Sequence, residues 1–116
     1  MSSRRAARRR SGGPPVFLTP SQAFALALGR TIRALRARRR LSQEALGYRA
    51  NLHRNYVGCV ERAETNPNLG SVTRLLVALG IPMHEVWNLF VICHSEVRRD
   101  ARAGRIGIPT QRGLAR

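Results

Sequence analysis

The chain has 116 residues, of which 43% are hydrophobic and 23% charged, and its formal net charge is +15 at pH 7. This length suits a single domain with short extensions. No stretch approaches the roughly 20 consecutive apolar residues of a transmembrane helix, and no apolar signal region follows the N-terminal charges. We therefore expect neither membrane insertion nor secretion.

The positive charge is concentrated at the two ends of the chain. All 21 basic residues are arginine; residues 1–40 hold eleven of them and no acid, and residues 98–116 hold six with one acid, Asp100. Residues 41–97 are close to neutral, with four arginines and five glutamates. A GC-rich genome explains the absence of lysine, but not the excess of bases over acids. The basic ends favour a polyanionic partner such as DNA, RNA or an anionic membrane.

Residue types that could form a metal or catalytic site are few and scattered along the chain. Cys59 and Cys93 lie far apart, and the three histidines do not complete a ligand set with them. The sequence has no nucleophile–base pair, no paired carboxylates and no phosphate-binding glycine loop. We expect no metal, no cofactor, no small-molecule ligand and no enzymatic activity. Two distant cysteines without CxxC spacing indicate a reducing, cytoplasmic compartment.

Residues 1–18 combine an arginine cluster with a Gly-Gly-Pro-Pro segment, a composition that neither forms a helix nor buries a core. We interpret them as a disordered basic arm, which either follows a nucleic-acid backbone or only solubilises the chain. The first helix is predicted from about Pro20 to Arg39. Thr19 is its N-cap and Gln22 completes a capping box. Its apolar face is formed by Phe24, Leu28, Ile32 and Leu35.

Two short helices follow, separated by a tight turn. Ser42 caps the first, which we predict over residues 42–50, and the second is predicted over 53–62. Asn51 lies where the chain needs a left-handed residue, a conformation that asparagine tolerates better than any residue except glycine. Two helices joined at a steep angle by such a turn form the motif that presents its second helix to the major groove of DNA.

Two further helices complete an all-α prediction of five helices over residues 19–99, with the core confined to residues 24–97. Asn68 caps the fourth and Gly80 ends it. The fifth begins at Met83 and continues to about Arg99, and residues 100–116 are expected to form a loose basic tail. The fourth helix has the apolar face Leu69, Val72, Leu75, Leu76 and Leu79, and the fifth has Val86, Trp87, Leu89, Phe90 and Cys93.

Several short motifs lie within residues 24–87, roughly half the chain. They are Gly29-x-x-Ile32-x-x-Leu35-Arg36, Leu41-Ser42-Gln43-Glu44-x-Leu46, Tyr56-Val57-x-x-Val60-Glu61-Arg62, Asn66-Pro67 and Leu79-Gly80-Ile81. Together they resemble the Cro- and repressor-type helix-turn-helix domains of phages and bacteria, with their lambda-repressor-like fold. Residues 53–62 are most similar to the restriction–modification controller proteins of that family.

The resemblance implies which residues meet DNA, because the second motif helix enters the major groove in this family. Arg54 suits guanine and Asn55 suits adenine, although a solvated helix face is the alternative for both. The implied base contacts are Arg54, Asn55, Gly58 and, at the margin, Cys59. The implied contacts to the DNA backbone are Gln43, Tyr56, Arg62, Thr65 and Asn66.

Other positions match or depart from the family pattern. Arg36 and Glu61 match a common charge pair, which we interpret as structural. Gly47 replaces a usual alanine and weakens its helix by roughly 1 kcal/mol. Asn51 replaces the usual glycine of the turn. Ala63 also replaces a usual glycine, at a cost of roughly 1–2 kcal/mol if the residue is left-handed.

Family members bind palindromic sites as two-fold dimers, so a homodimer on double-stranded DNA is expected. The candidate dimer surface is the fifth helix, with Trp87, Phe90 and Val91, whose alternative role is to complete the monomer core. The function expected first is a sequence-specific repressor or autoregulator. The alternatives are an antitoxin-like protein-interaction module that also binds DNA, and a nonspecific nucleic-acid binder that uses only its arginine-rich ends.

Overall fold

The computed structural model describes residues 12–108, and within them the chain forms five α-helices and no strand. The expected all-α fold is confirmed. The arm and tail predicted at the ends lie partly outside the described residues, at 1–11 and 109–116. The helices are α1 Pro20–Arg38, α2 Gln43–Ala50, α3 Arg54–Glu61, α4 Leu69–Leu79 and α5 Met83–Arg102.

Local sequence signals explain where the helices begin and end. The capping box at the start of α1 is present: Thr19 Oγ1 accepts from Gln22 N at 3.1 Å and Thr19 N donates to Gln22 Oε1 at 2.8 Å. Asn68 caps α4 by accepting from the backbone N–H of Ser71 at 2.7 Å. Gly80 ends α4 with φ +62°, in the left-handed region that glycine adopts without strain.

The main core is built around α1, whose Ile32 and Leu35 are fully buried. Two residues expected in the core are instead exposed. Phe24 is 49% exposed, since it lies at the edge of the contact between α1 and α5, where its ring meets Phe90. Leu69 is 81% exposed as the first residue of α4. The buried cluster comprises Leu28, Ile32, Leu35, Leu46, Ala50, Val57, Val60, Leu75, Leu79 and Val86.

A second, smaller core corrects the expected boundaries at both ends of the domain. It joins the start of α1 to the second half of α5 through Ala23, Ala27, Cys93 and Val97, and it takes in Leu18 and Ile106, which lie outside the predicted core. Helix α5 therefore extends beyond Arg99, since its last two turns pack against residues on the N-terminal side of α1. The sequence did not predict this packing because the contributing residues are widely separated in the chain.

In residues 12–108, no single helix is long and apolar enough to cross a membrane. The pair formed by Leu69–Leu79 and Met83–Arg102 satisfies that criterion only when taken together, and it is bent by 115° at its break.

Candidate nucleic-acid interface

The turn between α2 and α3 has the geometry that its residues predict. Asn51 adopts φ +58° and ψ +45°, the left-handed conformation expected of it. The next residue, Leu52, donates from its backbone N–H to the carbonyl of Gly47 at 2.8 Å. A Cβ on Gly47 would lie 2.6 Å from the carbonyl oxygen of Leu52. Glycine at this position therefore allows the chain to fold back closely, which outweighs its poor helix propensity.

The N-terminus of α3 points its first residues to solvent. His53 is the N-cap, and its Nδ1 accepts from the backbone N–H of Asn55 at 3.0 Å. Arg54 and Asn55 are both exposed, and Val57 behind them is fully buried. Arg54 lies 3.9 Å from Glu44, but both side chains are more than 60% exposed, at 63% and 76%. Such a pair contributes little to stability and leaves the guanidinium free to meet another partner.

The remaining expected base-contact positions are less accessible. Gly58 is buried under the side chains of Arg62 and Gln43. A Cβ built on Gly58 would lie 3.0 Å from Arg62 Nη1 and 3.3 Å from Gln43 Oε1. Cys59 is half-buried, with its Sγ 4.0 Å from Arg62 Nη2. A base approaching Gly58 must first displace the long side chains of Arg62 and Gln43.

A buried carboxylate organises the far end of α3. Glu61, with a side chain 3% exposed, accepts from Arg36 Nε at 2.6 Å and from Arg36 Nη2 at 3.0 Å. Arg36 also donates to the carbonyl of Leu41 at 2.9 Å. The hydrogen bonds to Glu61 are the first cause of a pKa of Arg36 above its ordinary value, against a smaller lowering by burial. Arg36 thus ties α1 to α3 and to the connection that precedes α2.

Gln43 takes part in the same network, which the sequence did not predict. Its Nε2 donates to Glu61 Oε1 at 3.0 Å, so its side chain connects the start of α2 to the end of α3. The signal available in the sequence was only a polar residue in the first turn of a helix. A contact from Gln43 to phosphate would come from its backbone N–H or after its side chain has exchanged partners.

The segment after α3 presents further polar groups. Arg62 pairs with Glu64 at 3.1 Å, and this hydrogen bond is the first cause that raises the pKa of Arg62 above its ordinary value. Thr65 is half-buried and Asn66 is exposed. Tyr56, in the first turn of α3, is half-buried against the main core. The expected backbone-contact residues of this segment therefore lie around the C-terminal end of α3.

Tyr48 is an exposed aromatic residue that the sequence prediction left out. Its side chain is 88% exposed on α2, and it lines a shallow hollow of about 270 Å³ with Glu44, Leu52, His53 and Arg54. The four-residue spacing of Glu44 and Tyr48, which places them on one helix face, was the signal for this position.

The exposed side of α5 forms an apolar groove with α1. Phe24 and Phe90 have ring centroids 5.1 Å apart, and Trp87 stacks on Phe90 at 6.0 Å. Trp87 remains 62% exposed and Val91 47% exposed. The groove encloses about 550 Å³. Phe90 is thus shared between the core and the surface, and Trp87 and Val91 contribute chiefly to the surface.

In the described part of the chain, no three His, Cys, Asp or Glu residues are placed to hold a metal ion together. Cys59 and Cys93 are both free thiols.

The sequence matches known proteins over the region that forms this interface. A family model described as a helix-turn-helix domain matches residues 27–89, more than half of the chain. The immunity repressor protein of Bacillus phage phi105 is 36% identical over 61 residues, which are 53% of this chain and 42% of the repressor. The control protein C.BamHI of Bacillus amyloliquefaciens is 28% identical over 75 residues, 64% of this chain and 93% of that protein. The chain thus spans less than half the length of the phage repressor and nearly all of the control protein.

Solved structures of two restriction–modification controller proteins are similar to this fold. C.AhdI from Aeromonas hydrophila superposes with a TM-score of 0.52 at 39% identity, covering 55% of this chain and 97% of C.AhdI. A mutant of C.Esp1396I gives a TM-score of 0.59 and covers 63% of this chain and 97% of that protein, but at 20% identity it supports the fold alone. The chain belongs to the helix-turn-helix domain family.

Proposed function

We propose that the protein is a sequence-specific transcriptional regulator, a repressor or autoregulator that binds a palindromic operator in double-stranded DNA as a homodimer. The observation that supports this most directly is the exposed N-terminus of α3. Arg54 and Asn55 project from the second helix of the motif, and the nearest carboxylate to Arg54 is a solvent-exposed one at 3.9 Å. A guanidinium and an amide in this position match the donor and acceptor pattern of guanine and adenine in the major groove. Action on DNA in the cytoplasm is part of the same proposal.

The other polar groups of the motif then hold the helix in register on the duplex. The expected base-edge set is Arg54 and Asn55, with Gly58 and Cys59 at closer approach. Arg62 and Asn66 lie at the end of α3, where they suit phosphate oxygens. The proposed contacts to the backbone are Gln43, Tyr56, Arg62, Thr65 and Asn66.

Dimerisation is the second part of the proposal, because one motif reads only a few base pairs. The exposed residues Trp87 and Val91, together with Phe90, form an apolar surface on α5 of the kind that mediates association. Two copies joined there would place two recognition helices on one duplex.

The test is selection of binding sites from a random duplex library with the native protein, Arg54→Ala and Arg49→Ala. Arg49 is an exposed arginine on α2 and provides a control of equal charge. We expect an enriched palindrome for the native protein and for Arg49→Ala. Arg54→Ala should lose one defined base preference, with a discrimination of about 1–3 kcal/mol.

If none of the three proteins enriches a site and binding depends strongly on salt, nonspecific binding through the arginine-rich ends would replace this proposal. Enrichment that Arg54→Ala leaves unchanged would remove Arg54 from the readout.

A further inference from the structure

The two ends of the described chain meet at the C-terminal end of α5. Gly13 donates from its backbone N–H to the carbonyl of Gly104 at 2.8 Å, and Val16 donates to the carbonyl of Ala101 at 2.7 Å. The two backbone segments are so close that a Cβ built on Gly12 would clash with the carbonyl oxygen of Gly104. We name the assembly of residues 12–16 and 98–105 the basic clasp.

One carboxylate holds the basic clasp against α1. Asp100 accepts from Arg30 at 3.0 Å and from Arg105 at 2.9 Å, and its side chain is 25% exposed. The backbone N–H of Arg105 also donates to the carbonyl of Asp100 at 2.8 Å. Since two guanidinium groups share a single carboxylate, the structural ion pair itself leaves an excess of one positive charge.

Three further arginines of the basic clasp are turned to solvent. Arg98, Arg99 and Arg102 are exposed, and none of them takes part in the ion pairs found within residues 12–108. The partial negative charge at a helix C-terminus, about half a unit, accounts for part of one such charge. The cluster therefore carries more positive charge than the fold needs.

The sequence adds more charge within reach of the same place. Residues 4–10 hold five arginines. A fully extended residue spans at most about 3.6 Å, so every one of these arginines is attached within about 30 Å of Gly12. Within the described residues, the basic clasp places Arg98, Arg99, Arg102 and Arg105 at one end of α5.

We propose that the basic clasp is a second DNA-binding surface, which takes the phosphate backbone of the duplex flanking the site read by α3. This inference rests on the proposed function for its duplex partner. It goes beyond that function because the helix-turn-helix family model ends at residue 89 and does not include the basic clasp. Flanking phosphates are the favoured polyanion because a protein already bound at its site meets them at high effective concentration.

The experiment compares the native protein with two triple variants that lose the same charge. Arg98→Gln, Arg99→Gln and Arg102→Gln together remove the exposed charge of the basic clasp. Arg33→Gln, Arg49→Gln and Arg74→Gln are the matched control, because all three are exposed and lie outside the clasp. Each protein is titrated at several salt concentrations with two duplexes that contain the same selected site, one with short ends and one with about 15 additional base pairs on each side. Thermal unfolding verifies that both variants are folded.

We expect the native protein and the control to bind the longer duplex more tightly and with a steeper salt dependence. The clasp variant should lose that difference while keeping its base preference. Loss of three phosphate contacts lowers the steepness of log affinity against log salt by about 2.7. When salt rises from 50 to 200 mM, the affinity of the clasp variant should therefore fall about 40-fold less than that of the native protein.

An unchanged slope in the clasp variant, or an equal loss in the control, would overturn the inference. A clasp-dependent loss that appears only with RNA or with anionic vesicles would overturn it in favour of those partners. If no site is enriched in the selection, the same titration is run on random-sequence duplexes of two lengths. A clasp-dependent slope there would support the clasp as a DNA-binding surface even though the proposed sequence-specific function had failed.

Discussion

The carboxylate of Glu61 accepts three hydrogen bonds, two from Arg36 and one from Gln43, while its side chain is 3% exposed. Replacing it in Glu61→Gln leaves the guanidinium of Arg36 largely buried without a counter-charge. We expect the free energy of unfolding to fall by about 3–5 kcal/mol, measured by urea denaturation. Glu44→Gln is the matched control, because its pair with Arg54 is exposed on both sides and contributes at most about 1 kcal/mol. Equal losses in the two variants would contradict the structural role of Glu61.

Two glycines on helices are predicted to respond in opposite ways to alanine. A Cβ on Gly29 would lie 2.6 Å from the backbone carbonyl oxygens of Val60 and Glu61, which cannot move without separating α1 from α3. Gly29→Ala should therefore destabilise the domain by about 1–3 kcal/mol, despite the better helix propensity of alanine. At Gly58 the nearest atoms belong to flexible side-chain ends, so Gly58→Ala should be neutral or stabilising by up to about 1 kcal/mol. Thermal unfolding of both variants checks this, and a stabilised Gly29→Ala would be incompatible with the close helix contact.

Among the elements, the contact of α1 with α5 depends on an ion pair that responds to acid. Burial alone would raise the pKa of Asp100, but the hydrogen bonds from Arg105 and Arg30 outweigh it, and the pKa lies below its ordinary value of 3.8. A carboxyl whose folded pKa is depressed stabilises the fold at pH above its unfolded pKa. That stabilisation is lost as the pH falls through the folded pKa.

We therefore expect Asp100→Asn to lower the free energy of unfolding by about 1 kcal/mol at pH 7, the upper end for a solvent-accessible ion pair. The difference between native and variant should shrink as the pH falls below about 4, measured by urea denaturation over a series of pH values. A difference that stays constant down to pH 2 would mean that Asp100 acts by packing rather than by charge.

Helix ends show how far local signals extend. Among residues 12–108, three non-glycine residues adopt positive φ, namely Arg40 at +57°, Asn51 at +58° and Ala63 at +59°. Asn51 is predictable from its side chain, and a left-handed Ala63 follows from the family pattern. Arg40 has no such signal in its side chain. Its left-handed backbone accompanies the bond by which the N–H of Leu41 donates to the carbonyl of Arg36 at 3.1 Å and closes the end of α1.

For the whole molecule, the proposed dimer makes a measurable prediction. Trp87→Ser with Val91→Ser removes the exposed apolar groups of α5 and should weaken the dimer by at least about 30-fold, as loss of an interface hot spot does. Because both residues are about half exposed in the monomer, the free energy of unfolding at low protein concentration should change little. Sedimentation equilibrium measures the association. Val77→Ser, at an apolar residue 74% exposed on α4, is the control, and an equal effect there would place the dimer surface elsewhere.

The sequence by itself determined the five helices and the left-handed turn at Asn51, because these depend on capping and helical spacing within short stretches of chain. The pairing of Arg36 with Glu61 was predicted only through the family resemblance. Only the tertiary structure decided the covering of Gly58, the bond from Gln43 to Glu61 and the second core that joins both ends. Those features depend on contacts between residues distant in sequence, and neither composition nor periodicity records which distant residues meet. The same reason applies to Asp100. In the sequence it is one acid in a basic tail, whereas in the fold it forms ion pairs with both Arg30 and Arg105.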